Sequence, residues 1–181
     1  MGDDFRFPAL SPRPKCRGIP LGDGNFTVCA YGDGTAEPFR SPNDCPICNA
    51  YAPEIGRIQT TYGSRVCIDL VYSEPRLTAA QARTHATSFS LGRSELLLDP
   101  NGEFALYCKA SVTPQALVYD SNGRKVYSGR IDDRYISLGQ QRPTATQHDL
   151  RDALEAILSH KQPKPALGAP VGCFIVTSQT S

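Results

Sequence analysis

The most regular pattern of apolar positions begins just after residue 49, where apolar side chains recur at spacings of three and four. Four of them share one face of a helix: Tyr51, Ile55, Ile58 and Tyr62. This spacing predicts an amphipathic helix that begins near Cys45 and ends at Gly63. Asp44 is the expected N-cap, and Pro46 is tolerated in the first turn. Pro53 lies inside the pattern and predicts a kink.

After this helix the pattern alternates between short apolar runs and helical spacings. Strands are predicted at 65–72, 96–98, 115–119 and 125–131, and helical segments at 78–89, 104–108 and 148–160. Thr78 is the expected cap of the second helix. The turn at 120–123 (DSNG) joins two of the strands into a hairpin. Strands and helices in this order predict an α/β fold with a mixed sheet.

The N-terminal quarter of the chain shows the weakest pattern. Residues 8–46 are rich in proline and glycine, which predicts turns and loop, and only 26–31 alternates as a strand would. The predicted organisation is therefore an irregular segment at 1–43, one domain at 44–162 and an extended tail at 163–181.

Composition narrows the class of protein. The 181 residues, 40 % of them apolar and 20 % charged, suit a soluble globular domain. The formal charge is +1 and the basic residues form no stripe, so no nucleic acid is expected as a partner. No run approaches the ~20 apolar residues of a membrane helix, and residues 1–10 do not resemble a signal peptide. The expected location is the cytoplasm as the sequence stands, or an exported compartment if a leader is missing.

The candidate chemistry comes from seven cysteines: Cys16, Cys29, Cys45, Cys48, Cys67, Cys108 and Cys173. Only Cys45 and Cys48 are closely spaced, in the motif Cys-Pro-Ile-Cys. A thiol reacts as its thiolate, and a helix N-terminus stabilises that charge through its dipole and unpaired N–H groups. Cys45 is therefore the predicted attacking thiol. Cys48, further into the helix and less exposed, is the predicted resolving thiol that closes the disulfide.

Other uses of this cysteine spacing stay open. Zinc sites also use paired cysteines, but a structural zinc needs two further ligands, and the three histidines stand alone in the sequence. A copper-binding site made of Cys45, Cys48 and either a histidine or Cys173 is a second alternative, and an inert pair is a third. A redox pair is favoured, and no metal and no cofactor are expected.

A second motif precedes the strand at 115–119. Pro114, after Val112 and Thr113, is either an ordinary residue at a strand entry or a cis proline held against a functional site. Composition alone favours the ordinary residue.

Several segments in the same order resemble one family. The segment 45–54 (CPICNAYAPE) resembles the active-site segment of bacterial redoxin-domain proteins, which belong to the thioredoxin-like superfamily near the alkyl hydroperoxide reductase and thiol-specific antioxidant group. The loop at 112–114 with the turn at 120–123 is similar to their cis-proline loop and hairpin. The stretch 129–135 (GRIDDRY) and the tail segment 171–173 (VGC) are also similar to theirs. The resemblance runs from residue 44 to residue 175.

This resemblance implies a thioredoxin-like fold, a central mixed sheet flanked by helices, with a redoxin-type insertion between the cysteine helix and the cis-proline loop. It implies a site formed by four residues, with the proline cis and facing the cysteines: Cys45, Cys48, Thr113 and Pro114. It further implies an enzyme, a thiol–disulfide oxidoreductase that exchanges its disulfide with protein thiols and with an upstream electron donor or acceptor. A monomer is expected.

Two features depart from the family pattern. An apolar strand ought to lead into the cysteine motif, yet Pro38 and Pro42 exclude a central strand at 34–42. Either 26–31 supplies that strand, followed by a long loop, or this part of the chain is divergent. In addition, a peroxidase of this family needs Thr or Ser three residues before the reactive cysteine, where this chain has Pro42. A thiol peroxidase with antioxidant activity is therefore the less favoured alternative.

The remaining cysteines and a charged cluster are expected to have structural roles, except for one cysteine whose role stays open. Cys67 is predicted to be a buried structural thiol, and Cys108 to serve packing. Cys173 is either a tail cysteine without a role or a thiol that reaches another thiol or a metal. A cluster of charges after the hairpin is predicted to form solvated ion pairs: Arg130, Asp132, Asp133 and Arg134.

Overall fold

The structure is a computed structural model that describes the backbone of residues 26–32, and residues 45–91, 94–120 and 123–177 with their side chains. The elements in chain order are β1 (Phe26–Gly32), α1 (Pro46–Tyr62), β2 (Val66–Tyr72), α2 (Ala79–Ser88), β3 (Glu95–Leu98), α3 (Glu103–Cys108), β4 (Val112–Thr113), β5 (Ala116–Tyr119), β6 (Lys125–Gly129), β7 (Tyr135–Ser137), β8 (Gln140–Gln141), α4 (Asp149–Leu158) and β9 (Cys173–Phe174).

Five strands form the central sheet, in the order β3-β2-β1-β5-β6. The pairs β1–β2 and β2–β3 are parallel, whereas β1–β5 and β5–β6 are antiparallel. The sheet is therefore mixed and the fold is α/β, as the sequence predicted. Two small pairings, β4 with β9 and β7 with β8, lie outside this sheet and were not predicted.

The central strand is β1, so the alternation at 26–31 does supply the strand that the pattern lacked directly before the cysteines. Its register places Phe26 opposite Val66 and Gly32 opposite Tyr72. The prolines expected to exclude a strand at 34–42 lie outside the described residues. The boundaries 1–43, 44–162 and 163–181 stay predictions, although β1 belongs to the same sheet as the later strands.

Helix α1 follows the predicted periodicity but begins differently from the prediction. Cys45, not Asp44, is the N-cap, in an extended conformation and with no side-chain capping hydrogen bond. Pro46 then occupies the first helical turn, where its missing N–H costs no intrahelical bond. The helix continues through Pro53 to Tyr62. Helix α2 begins as predicted at Thr78, which forms a capping box with Gln81.

Two hydrophobic clusters cover the two faces of the sheet. The larger one packs α1, α2 and α4 against alternate residues of β2, namely Val66, Ile68, Leu70 and Tyr72. The smaller one joins Val71 and Leu117 to α3 and to Ile175 from the C-terminal segment. Every residue of β2 is buried, which agrees with the predicted strand covered on both faces. Within the described part of the chain, no helix combines the length and apolar character needed to cross a membrane.

Cys67 is buried, as predicted, but it is disulfide-bonded and not a thiol. It lies on β2, on the face opposite α1, since its neighbours Val66 and Ile68 point into the larger cluster. Its disulfide is therefore on the other side of the sheet from the helix that carries Cys45 and Cys48.

An ionisable side chain, the carboxyl of Asp69, is buried in this sheet. Asp69, in the middle of β2, is 1 % exposed, and its Oδ2 atom accepts no hydrogen bond from any described residue. Burial, with a smaller contribution from the charge of Glu95, raises the pKa of Asp69 to about 7. A carboxyl that binds its proton more tightly in the folded than in the unfolded chain makes stability fall as pH rises from about 4 to about 7.

We therefore expect Asp69→Asn to stabilise the protein at alkaline pH. The substitution keeps the shape of the side chain and removes its charge, so the free energy of unfolding at pH 8 is expected to rise by about 1–3 kcal/mol. Near pH 4, where the native carboxyl is already neutral, the two proteins are expected to be nearly equal. Urea unfolding at both pH values measures this difference. Glu103→Gln, at an exposed position, serves as the control. An equal effect of Asp69→Asn at both pH values would contradict the raised pKa of Asp69.

Candidate active site

The start of α1 places Cys45 and Cys48 at the same end of one helix. The N–H of Cys48 donates to the Cys45 carbonyl at 3.1 Å, which closes the first turn. Both residues carry thiols in this structure. Their exposure is the reverse of the prediction: Cys45 is 0 % exposed and Cys48 is 7 % exposed. Position along the helix alone would leave Cys45 the more exposed of the two, but segments distant in sequence also cover it.

The loop at 112–114 is the first of these segments. The Thr113–Pro114 peptide bond is cis. The Cys45 Sγ donates to the Thr113 carbonyl at 3.3 Å, across a sequence separation of 68 residues. Thr113 is buried, and it lies in the short strand β4 directly before Pro114. The structure thus brings together the cysteine motif and the second predicted motif.

The C-terminal strand β9 is the second segment. It pairs antiparallel with β4, so that Cys173 lies opposite Thr113. Both the side chain and the backbone N–H of Cys173 form hydrogen bonds to the Cys45 sulfur. The sequence left the role of Cys173 undecided. The available signal was Gly172, because a glycine often marks a close approach of two backbones.

Hydrogen bonds to the sulfur set the ionisation of Cys45. The Cys48 side chain contributes most, the Cys173 side chain less, and the backbone N–H groups of both residues add to the effect. Burial opposes ionisation, but the hydrogen bonds outweigh it and lower the pKa of Cys45 to about 5. A thiol with this pKa is a thiolate at neutral pH, which is the nucleophilic form.

A buried polar chain fixes the residue after Cys48. The Asn49 Oδ1 lies 2.9 Å from the His85 Nε2, and the His85 Nδ1 lies 3.0 Å from the Tyr72 hydroxyl. Burial lowers the pKa of His85, which favours the neutral ring. In that form Nε2–H donates to Asn49 and Nδ1 accepts from Tyr72. His85 therefore ties α1 to α2 and β2.

Across residues 45–91, 94–120 and 123–177, no three or more His, Cys, Asp or Glu side chains are grouped in a way that could hold a metal ion.

The charged cluster after the hairpin differs from its prediction as solvated ion pairs. Asp132 and Asp133 are buried. Asp132 accepts a hydrogen bond from the Tyr51 hydroxyl at 2.5 Å, and Asp133 accepts from the Thr146 and Gln147 N–H groups at 2.6 and 2.9 Å. The two carboxylates therefore fix the loop after β6 to α1 and to the segment before α4. The sequence could not show this, because the donors are distant along the chain.

Comparison with known proteins gives a likeness at the level of structure. A scan against protein-family models finds no match, and a search of curated proteins finds none either. A hypothetical protein from Sinorhizobium meliloti 1021 matches with a TM-score of 0.69 and 22 % identity, over 87 % of this chain and 82 % of that one. A conserved protein from Geobacillus kaustophilus, described as uncharacterized, matches with a TM-score of 0.67 and 22 % identity, over 88 % of this chain and 80 % of that one.

A third match is to a protein whose fold is known. It is described as a thioredoxin-like protein in the oxidized form, and it matches with a TM-score of 0.53 and 11 % identity, over 76 % of this chain and 80 % of that one. The chain has the thioredoxin-like fold. Within this thioredoxin-like fold, β2, α2, β3 and α3 lie between α1 and the Thr113-Pro114 loop. This is the stretch in which the sequence predicted inserted elements.

The ionisation of Cys45 gives a direct test of the site geometry. We expect the thiolate absorbance of Cys45, taken as wild type minus Cys45→Ala, to titrate with a midpoint near pH 5. Cys48→Ala removes the largest of the stabilising hydrogen bonds, so the midpoint is expected to move upward. The matched control is Cys108→Ala, which alters a buried cysteine of the smaller cluster and is expected to leave the midpoint unchanged. A wild-type midpoint at the ordinary value of a thiol, about 8.5, would contradict the described hydrogen bonding.

Proposed function

We propose that this protein is a thiol–disulfide oxidoreductase of the bacterial redoxin-domain type that acts on protein thiols and disulfides. The observation that carries the proposal is the Cys45 thiol at the N-cap of α1, one turn from Cys48, whose sulfur donates to the Thr113 carbonyl at 3.3 Å. The resemblance of segments 45–54 and 112–114 to redoxin-domain sequences supports the same activity. The proposal includes the four predicted site residues: Cys45, Cys48, Thr113 and Pro114.

The reaction begins with the Cys45 thiolate attacking one sulfur of a partner disulfide. A bond forms between the Cys45 Sγ and that sulfur, and the other partner sulfur leaves as a thiolate that takes a proton from solvent. Cys48 then loses its proton and attacks the Cys45 Sγ, which releases the second partner sulfur. The partner gains two electrons, and the protein is left with a Cys45–Cys48 disulfide. An upstream dithiol restores the two thiols by the reverse steps.

Thr113 and Pro114 act by positioning the sulfur. The Thr113 carbonyl accepts the hydrogen bond of the Cys45 thiol at 3.3 Å. When Cys45 ionises it loses that donor, and the donors from Cys48 and Cys173 stabilise the charge. Pro114 has no N–H, so the loop after Thr113 offers no backbone donor at this position.

In this structure Cys45 is not accessible to an outside disulfide. Because Cys45 is completely buried, an outside disulfide reaches it only after the covering segments move. Strand β9 is a short covering segment that is two residues long and, among the described strands, pairs with β4. We therefore expect partner binding to displace β9.

Reduction of insulin disulfides in the presence of an external dithiol tests the proposed function. We expect Cys45→Ala to lose the catalysed rate entirely, because no attacking thiolate remains. The matched Cys108→Ala variant is expected to keep the wild-type rate, since Cys108 belongs to the smaller cluster on the other face of the sheet. Full activity of Cys45→Ala would refute the assignment.

The direction of the reaction depends on the reduction potential of the Cys45–Cys48 pair. Equilibration with a glutathione redox buffer measures this potential. A potential of about −270 mV would make the protein a reductant of partner disulfides. A potential of about −120 mV would make it an oxidant of partner thiols.

A further inference from the structure

Three thiols from two distant parts of the chain lie near the start of α1. Cys45 and Cys48 belong to the helix, and Cys173 belongs to a strand that lies 125 residues after Cys48. Cys173 contacts the Cys45 sulfur through its own side chain and through its backbone N–H. The geometry agrees, because the Cys45 sulfur donates to the Thr113 carbonyl at 3.3 Å and Thr113 is the residue paired with Cys173. The Cys45 sulfur is therefore flanked by Cys48 on one side and by Cys173 on the other.

The C-terminal segment is held in this position at both ends. Before the strand, the Leu167 N–H donates to the Asp149 Oδ1 at 2.8 Å. After it, the Ile175 N–H donates to the Ser111 carbonyl at 3.0 Å, and the Ile175 side chain is buried in the smaller cluster. Cys173 therefore lies next to Cys45 because both sides of its segment are anchored to the domain.

The residue before Cys173 makes the close approach feasible. A Cβ atom at Gly172 would overlap the carbonyl group of Thr113 and press on the nitrogen of Pro114. Only glycine allows the two backbones to come this near. The same contact sets the distance between Cys173 and the Cys45 sulfur, because Thr113 is the residue paired with Cys173.

Exposure distinguishes the three thiols. Cys45 is 0 % exposed and Cys48 is 7 % exposed, whereas Cys173 is half-buried. Cys173 is thus the thiol of the cluster that outside molecules reach most easily. It also approaches Cys45 as part of an extended strand, which is the conformation in which a linear peptide presents a cysteine.

We propose that Cys173 is a third redox thiol of this site, which forms a disulfide with Cys45 in exchange with the Cys45–Cys48 disulfide. The inference rests on the proposed function, because it uses the same attacking sulfur. It assigns the C-terminal strand a chemical role in addition to its role as a cover.

The exchange needs no outside electrons. Cys173 loses its proton to solvent and attacks the Cys45 Sγ of the Cys45–Cys48 disulfide. The new Cys45–Cys173 bond forms as the old bond breaks, and Cys48 leaves as a thiolate that takes up a proton. When Cys45 instead carries a partner that has displaced β9, the return of β9 brings Cys173 back to the Cys45 sulfur, and the same attack releases the partner thiolate. In both cases the resulting disulfide includes Cys173, which is more exposed than Cys48. An outside thiol can then attack the Cys173 sulfur.

Oxidised glutathione is a suitable probe, because it forms a mixed disulfide with a reactive thiol. The full-length chain is prepared as Cys48→Ala and as Cys48→Ala/Cys173→Ala, and each is mixed with oxidised glutathione. Peptide mapping by mass spectrometry then follows the adduct on Cys45. We expect the adduct to disappear at least about tenfold faster in Cys48→Ala than in the double variant, because the intramolecular thiol is held in place. We also expect a Cys45–Cys173 disulfide to accumulate in the single variant.

The outcomes separate the two proposals. If the adduct persists equally in both variants, Cys173 does not exchange with Cys45, and this inference is overturned while the reactive Cys45 stands. If no adduct forms on Cys45 in either variant, Cys45 is not an exchanging thiol, and both proposals fail. If the Cys45–Cys173 disulfide forms in the single variant, the inference is supported.

A backbone variant tests the placement of Cys173 without removing any thiol. In the Cys48→Ala background, Gly172→Ala is expected to push β9 away from Thr113 and to slow formation of the Cys45–Cys173 disulfide by about tenfold or more. The matched control is Gly56→Ala, whose added Cβ meets only ordinary contacts, the nearest at 3.7 Å. Equal rates in the Gly172→Ala and Gly56→Ala proteins would show that β9 does not position Cys173.

Discussion

The contact between the start of α1 and the Thr113-Pro114 loop is the constraint on which the rest of the site depends. It follows from the sheet: β1 and β5 are antiparallel neighbours, with Ala30 opposite Ala116. The C-terminal end of β1 and the N-terminal end of β5 therefore lie at the same end of the sheet. The Cys45 sulfur and the Thr113 carbonyl meet there, although 68 residues separate them.

The chemistry of Cys45 depends on a balance between burial and hydrogen bonding. Burial alone disfavours a thiolate, since it removes the charge from water. The donors from Cys48 and Cys173 reverse that preference. Helix geometry accounts for the Cys48 contribution, because the first turn brings residues 45 and 48 together. The Cys173 contribution depends on the anchoring of a distant strand, so the reactivity of Cys45 is coupled to the position of the C-terminal segment.

That segment links the site to both hydrophobic clusters. Ile175 is buried in the smaller cluster, and Cys173 packs against the larger one. Near its start, the backbone of Leu167 is bonded to Asp149, which is also paired with Arg130 at 2.8 Å. The covering of Cys45 is thus maintained by contacts on both faces of the sheet. Displacing β9 requires breaking its short pairing with β4 and the contacts of Ile175, while the anchor at Leu167 can remain.

The sequence by itself determined the local elements and the cysteine motif. The periodicity of α1, the apolar run of β2 and the capping signal at Thr78 act over a few residues, so pattern alone predicted them. The resemblance added the pairing of the cysteines with Thr113 and Pro114. Only the tertiary structure decided the burial of Cys45, the burial of Asp132 and Asp133, and the place of Cys173. Each of these depends on contacts between segments far apart in the chain, and a local pattern carries no information about such contacts.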